Sequence, residues 1–134
     1  MELTFCIKKS IDVVFTYLTD MQKFASVHPV ITHIDHTGPD RYLIHETLKL
    51  RFIPYSFTYP ATIEANPIDH TVIMRAVVFR MVRIEMHFAL LQKGDHTQVK
   101  ETIYFDSKLP VKSAMEKIFK EQHTQLFKNI EAVG

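Results

Sequence analysis

From Val30 to Phe105 the chain alternates apolar and polar residues through one short segment after another, and only beyond Pro110 does the apolar period lengthen. Alternation of this kind means strands with one dry face, because successive side chains of a strand point to opposite sides. "RYLIHETLKL" puts Tyr42, Ile44, Glu46, Leu48 and Leu50 on one side, and "YSFTYPATIEA" does the same with Tyr55, Phe57, Tyr59, Ala61 and Ile63. "VITHID", "TVIMRAVVF", "VRIEMHFALLQ" and "TQVKETIYFD" complete a set of six, separated by the turn signals "TGPD", "NPID" and "KGDH". The joint near Arg80 and Met81 has no glycine. Pro60 falls at the opposite parity of its strand and predicts a bulge or an edge there.

A sheet with one apolar face must be covered. "KSAMEKIFKEQHTQLFKNIEAV" carries Met115, Ile118, Phe119, Leu126, Phe127 and Ile130 on one stripe at helical spacing. Such a helix is about 30 Å long and is the only element able to span the sheet. At the start, "ELTFCIK" alternates as a strand. Ser10 then offers an N-cap and Asp12 suits a first turn, so "SIDVVFTYLTD" predicts a helix of about three turns. A second short helix holds Met21, Phe24 and Ala25 and ends at "HPV", since the residue before a proline leaves the helical region. Strand, two helices, six strands and a long helix predict one α+β domain over residues 1–134 with an antiparallel sheet.

Composition excludes several function classes. Sixteen Lys and Arg against 15 Asp and Glu give a net charge of +1, which speaks against a nucleic-acid surface. The single cysteine, Cys6, permits no internal disulfide and fits a reducing compartment. "MELTFCIKKS" lacks the apolar core of a signal peptide, and no stretch has the roughly 20 apolar residues of a membrane helix. A cytoplasmic protein without integral membrane association is expected. Three glycines leave no GxGxxG or GxxxxGK[ST] loop. Eight histidines raise the question of a metal, but neither Cys-x-x-Cys nor His-Glu-x-x-His occurs. No metal and no cofactor are expected; His28, His33 and His36 would be the first suspects. Cys6 falls on an outward parity, and no serine sits in a nucleophile elbow.

"FCIKKSIDVVFTYLTD", with an aspartate closing the first helix, "HPVITHID", the pair "TYPATIEA" and "TQVKETIYF", and the late helix "EQHTQLFKNI" together resemble the START and Bet v 1-like superfamily. That superfamily includes the polyketide cyclase/dehydrase and lipid-transport group. The resemblance spans nearly the whole chain at the level of pattern, without a catalytic signature. It implies a helix-grip fold: a curved antiparallel seven-stranded sheet wrapped around the long C-terminal helix, with two short helices after the first strand. An apolar cavity would lie between sheet and helix. The implied partners are hydrophobic or amphipathic small molecules such as lipids, polyketides, sterols or aromatic compounds. A homodimer is left open.

Two carboxylates interrupt the apolar faces. Glu101 shares its parity with Val99, Ile103 and Phe105, and Glu46 with Ile44 and Leu48. An unpaired buried carboxylate costs on the order of several kcal/mol, so each must be paired, hydrated or protonated, unless a bulge turns it to solvent. On the long helix, Gln122 and His123 flank the apolar stripe, each about 50° from its centre. His28, before Pro29, reads first as a loop residue near the cavity mouth.

The expected ligand-lining set is therefore Tyr42, Glu46, Tyr59, Met74 and Met86, together with Phe88, Glu101, Phe119, Gln122 and His123. Methionines suit a pocket for irregular apolar ligands. The first function this supports is binding, transport or sequestration of a hydrophobic small molecule. A second is a cyclase- or dehydratase-like enzyme with Glu46, Glu101 and His123 as acid and base groups. A third is a protein-interaction module with a collapsed cavity.

Overall fold

The computed structural model describes residues 1–134, the side chain of Leu50 excepted, so that the expected inward position of Leu50 lies outside the described residues. The elements run β1 (Glu2–Ile7), α1 (Ile11–Thr19), α2 (Met21–Val27), β2 (Ile31–Gly38), β3 (Arg41–Leu50), β4 (Ile53–Asn66), β5 (Thr71–Val78), β6 (Val82–Lys93), β7 (His96–Ser107) and α3 (Lys112–Glu131). The seven strands form one sheet in the order β1-β7-β6-β5-β4-β3-β2, antiparallel throughout. This is the helix-grip arrangement that the alternation and the single long helix predict.

Local chemistry sets the helix ends. Ser10 accepts the Val13 N–H as N-cap of α1. Asp20 ends α1 and caps α2, accepting the N–H groups of Gln22 and Lys23 at 3.1 and 3.2 Å. His28 ends α2 in an extended conformation, as the following Pro29 requires.

The burial pattern along β7 confirms the parity read from its sequence: Val99, Glu101 and Ile103 are buried in alternation with more open neighbours. The C-terminal half of α3 is the half that packs. Leu126, Phe127 and Ile130 are buried among Val14, Leu18, Val72 and Phe88. Phe127 stacks on Phe5 at 4.5 Å between ring centroids, and Asn129 donates to the Val27 carbonyl at 2.8 Å. The N-terminal half stands off from the sheet. Met115 and Phe119 are half-buried, and Ile118, expected on the packed stripe, is exposed. Tyr55, assigned to an inward face, is also exposed. The causes are local: Ile118 borders the vestibule that separates this half of α3 from the strands, and Tyr55 lies on the part of β4 that β5 does not pair.

The sheet also opens on itself. β4 pairs with β3 from Ile53 to Thr62, but with β5 only from Ala61 to Asn66. Pro60 stands where the β4–β5 ladder stops, the local edge its missing N–H calls for. Beyond it the β3–β4 hairpin projects freely.

The hairpin turns differ between the two ends of the sheet. Pro39-Asp40, the Pro67–His70 stretch and Gly94-Asp95 serve one end, and these are ordinary turn residues. At the other end the central positions are Arg51 and Phe52 (φ 53° and 86°) and Phe79 and Arg80 (φ 53° and 58°). Positive φ at both central residues is the signature of the mirror-image hairpin turn, normally filled by Asn-Gly. For other L-residues that backbone costs about 1–2 kcal/mol each.

Candidate functional site

The gap beneath the N-terminal half of α3 is divided into two connected spaces. The inner chamber has a volume of about 50 Å³, with a wall that includes Phe24, Ile44, Met74, Met86, Phe88 and Phe119. The outer vestibule holds about 260 Å³ against Phe57, Phe79, Met81, Leu109, Met115 and Ile118. Glu46, Tyr59, Ile84, Phe119 and Gln122 border both and form the waist between them. Of the expected lining residues, Glu46, Tyr59, Met74, Met86, Phe88, Phe119, Gln122 and His123 stand in these walls.

Two expected residues stand elsewhere. Tyr42 stacks on His36 across the β2–β3 pair, with ring centroids 5.1 Å apart. It shares the inward parity of Ile44 and packs at the margin of the buried core, but the space it borders is a separate groove of about 800 Å³ with Ala61, Arg75 and Phe105 in its wall. Glu101 is buried on the inner face but is not part of either wall. His123, which is part of the chamber wall, lies against it.

That contact is the tightest polar arrangement in the interior. His123 Nδ1 is 2.7 Å from both Glu101 oxygens; the hydrogen-bond direction favours Oε1 and leaves Oε2 without a partner among the described residues. Glu101 comes from β7 and faces Leu3 across β1 and Phe88 across β6, so its only polar neighbour arrives from the helix above. With Nδ1 engaged, Nε2 is the ring nitrogen left for the chamber; it has no hydrogen-bond partner among the described residues. A carboxylate that holds an imidazole by one nitrogen fixes which nitrogen presents to a ligand.

Across the chamber, the Tyr59 hydroxyl donates to Glu46 Oε1 at 2.9 Å, within the β3–β4 pair. Burial raises the Glu46 carboxyl above its ordinary value, and the Tyr59 hydrogen bond and the charge of His123 oppose that rise. Burial and the adjacent Glu46 push the Tyr59 hydroxyl up, so it is a donor at any working pH.

His28 is a chamber residue and not simply a loop residue. Its Nδ1 accepts the backbone N–H groups of Val30 and Ile31 at 3.2 and 3.1 Å, and its ring lies 6.4 Å from that of His123. Nδ1 must be unprotonated to accept both. Burial, with His123 adding to it, pushes the imidazole down to about 3. His28 is therefore a neutral wall residue whose Nε2 carries the proton.

The metal suspects separate. His28 faces the chamber and His36 stacks on Tyr42, whereas His33 joins Asp35 and His45 on the outward face of β2 and β3. The imidazoles of His33 and His45 reach the two oxygens of Asp35 at 2.6 and 2.8 Å. Their donor atoms lie within 4.8 Å of one another, close enough to share an ion. Sequence reasoning missed Asp35 and His45 because the set depends on cross-strand register; the signal available was the His-x-Asp spacing on one strand face.

No protein-family model matches the chain, and no curated protein matches it in sequence. Solved structures do match its fold. The chain resembles the Zhui aromatase/cyclase from Streptomyces sp. R1128 with a TM-score of 0.74 and 13% identity, over 98% of this chain and 90% of that one. It resembles ginseng major latex-like protein 151 from Panax ginseng with a TM-score of 0.74 and 17% identity, over 98% and 94%. Against the di-domain ARO/CYC BexL from the BE-7585A biosynthetic pathway the TM-score is 0.82 at 13% identity; the match covers 98% of this chain and 46% of that longer one. The likeness is one of fold: the chain shares the helix-grip architecture of these proteins. Among the described residues, no helix is long and apolar enough to cross a membrane.

Proposed function

We propose that the protein binds an amphipathic small molecule beneath α3. Its apolar body would lie in the vestibule, and its polar end would reach through the waist at Glu46, Tyr59 and Gln122 to the edge of the chamber at Met86. The observation that carries this reading is the meeting of a nearly dry vestibule with a narrow ring of hydrogen-bonding groups. Ligand sites are usually built this way, from an apolar wall and a few placed polar groups. The vestibule, at about 260 Å³, approaches the small end of such sites and opens outward, which suits a ligand that enters lengthwise. The likeness to aromatase/cyclase and latex-like structures supports a cavity of this kind but selects no ligand.

A second reading is favoured by one specific feature. Glu101 holds His123 so that Nε2 meets the chamber, while Glu46, with its raised carboxyl, stands across it. An imidazole held opposite a carboxyl group is the arrangement that moves a proton to or from a bound carbonyl or hydroxyl. In this cyclase- or dehydratase-like role, Glu101 is a positioning residue and Glu46 and His123 are the acid and base.

Native mass spectrometry of the purified protein, followed by titration of the identified molecule into wild type and Met86→Trp, tests the binding reading. Filling the chamber at Met86 is expected to weaken binding by at least about tenfold. Equal affinity of both proteins would remove the chamber from the site. If the bound molecule emerges chemically changed and His123→Gln abolishes the change, the second reading replaces the first.

A further inference from the structure

The mouth of the vestibule is ringed by side chains that local backbone preference does not explain. Phe52 is 98% exposed and Ile53 70% exposed at the β3–β4 tip; Phe79 and Met81 are 52% and 55% exposed at the β5–β6 tip. Leu109, just before α3, and Ile118, on it, continue the apolar rim. The tips belong together: Phe79 lies 5.1 Å from Phe57 and 6.4 Å from Tyr55, ring centroid to centroid. Both turns hold positive φ at residues that disfavour it, while the positive-φ positions at the opposite end are Asp40, His70 and Gly94, residue types that enter this region more readily. A folding requirement alone would place Asn-Gly here. Phe79 packs on Phe57, whereas Phe52, almost fully exposed at its tip, points to a surface outside the fold.

Charge singles out the same end. Segments 49–58, 77–83 and 107–115 contain Lys49, Arg51, Arg80, Arg83, Lys108 and Lys112, but no Asp or Glu. The protein as a whole is nearly neutral, so the rest of the chain is net acidic and this end is a basic pole. These six bases are all exposed. Large apolar groups on projecting tips, set among an excess of cations with Asp106, opposite Arg83, as a neighbouring carboxylate, match the boundary of a bilayer with anionic headgroups. The apolar groups enter the acyl boundary and the cations stay at the phosphates.

We propose that this end docks on an anionic lipid bilayer, with Phe52, Ile53, Phe79 and Met81 inserted and the vestibule mouth facing the membrane. Docking would bring the vestibule directly over the lipid, giving an apolar ligand a path that avoids water. The proposal goes beyond the cavity reading and does not depend on it: Phe52 and Ile53 border neither space, and Phe79 and Met81 belong only to the outer vestibule wall. Attachment of this kind is reversible: a few apolar side chains and an electrostatic term bind far more weakly than a membrane helix.

The chain has no tryptophan, so Phe52→Trp introduces a single indole reporter at the most exposed tip. Titration with vesicles of equal parts phosphatidylglycerol and phosphatidylcholine should shift its emission to the blue. Phosphatidylcholine alone should give a much weaker response, and raising the salt from about 0.1 to 0.5 M should release the protein. Phe52→Asn suits the turn and should leave the melting temperature unchanged or higher, yet weaken vesicle cosedimentation by about tenfold. Lys108→Gln and Lys112→Gln should each weaken it by up to about fivefold. Met86→Trp should sediment with vesicles as wild type does, which separates failure of docking from failure of the cavity reading. The proposal is overturned by vesicle binding that is absent, indifferent to lipid charge, or unaltered in Phe52→Asn. It is equally overturned if the indole emission shifts with protein concentration while vesicles have no effect, since the rim is then a contact with a second copy.

Discussion

Glu101 of β7 and His123 of α3 meet in the buried interior, with the imidazole Nδ1 2.7 Å from the carboxylate. The pair ties the long helix to the sheet at the depth where the chamber opens. A carboxylate on an apolar face is thereby accounted for: it answers a histidine arriving from the opposite layer. Breaking such a pair leaves one buried polar group alone, which costs more than the intact pair contributes.

Glu101→Gln keeps the shape and removes the charge, so it should destabilise the protein by about 1–3 kcal/mol. His123→Gln should cost a similar amount. Because the two side chains act as one unit, the double variant should cost less than the sum, with a coupling of at least about 1 kcal/mol. Urea denaturation of all four proteins measures this; strict additivity would mean that the contact contributes nothing to stability.

The uneven packing of α3 predicts uneven sensitivity. Phe127→Ala, in the buried half, should cost about 3–5 kcal/mol. Phe119→Ala should cost less, about 1–2 kcal/mol, because its ring is only half-buried over the waist. Ile118→Ala should change stability by no more than about 0.5 kcal/mol. A reversed order in chemical denaturation would mean that the helix sits closed on the sheet in solution.

His28 should make the protein sensitive to mild acid. Its folded-state value of about 3 lies below the ordinary 6.5, so between these limits the unfolded chain binds a proton that the folded chain refuses. Stability is fully present above pH 6.5 and falls progressively toward pH 3, by up to a few kcal/mol at about 1.4 kcal/mol per unit. Glu46 acts in the opposite sense near its own titration, because the raised carboxyl takes up a proton more readily when folded. His28→Asn keeps an acceptor for the Val30 and Ile31 amides and removes the titration. Its stability should therefore decline less between pH 6.5 and 5 than that of wild type; parallel declines would refute the assignment.

The metal expectation changes its suspects. Protein purified without a histidine tag should contain less than stoichiometric zinc, since His33 and His45 are already satisfied by Asp35 on an open surface. If elemental analysis finds one metal per chain, His45→Ala should release it and His28→Asn should not.

How much of this was legible in the sequence depends on the range of the information. The inward parity of Glu101 and Glu46 follows from a period of two residues, and the cap at Asp20 from its immediate neighbours, so both can be read locally. The exposure of Ile118 and Tyr55 cannot, because it depends on the vestibule under α3 and on where the β4–β5 ladder stops, neither of which leaves a periodic mark. His28 looks like any residue before a proline. What makes it a chamber wall is the pair of amides at Val30 and Ile31 folding back on its ring. The His33, Asp35 and His45 set, and the place of Tyr42 beside His36 and away from the chamber, depend on which strand lies beside which and in what register. The order of strands is legible from turn lengths; their residue-by-residue alignment is not.

The waist offers the most direct test of how the site reads a ligand's polar end. Tyr59 donates to Glu46 at 2.9 Å, and this bond opposes the rise that burial imposes on the Glu46 carboxyl. Tyr59→Phe removes the donor and leaves the ring. With one opposing influence gone and burial unchanged, Glu46 should titrate at a higher pH in the variant than in wild type. Carbon-detected NMR of labelled glutamate carboxyls follows this directly, with Glu46→Gln identifying the resonance. The same change alters recognition. A protonated Glu46 can donate to a ligand carbonyl, whereas an ionised one only accepts from a ligand hydroxyl. Tyr59→Phe should thus shift the pH dependence of binding in the same direction as the titration, while wild type and variant bind alike where Glu46 is ionised in both. A titration midpoint that stays in place would show that the hydroxyl does not hold the carboxylate. A midpoint that moves without a matching shift in binding would place the ligand's polar end away from Glu46.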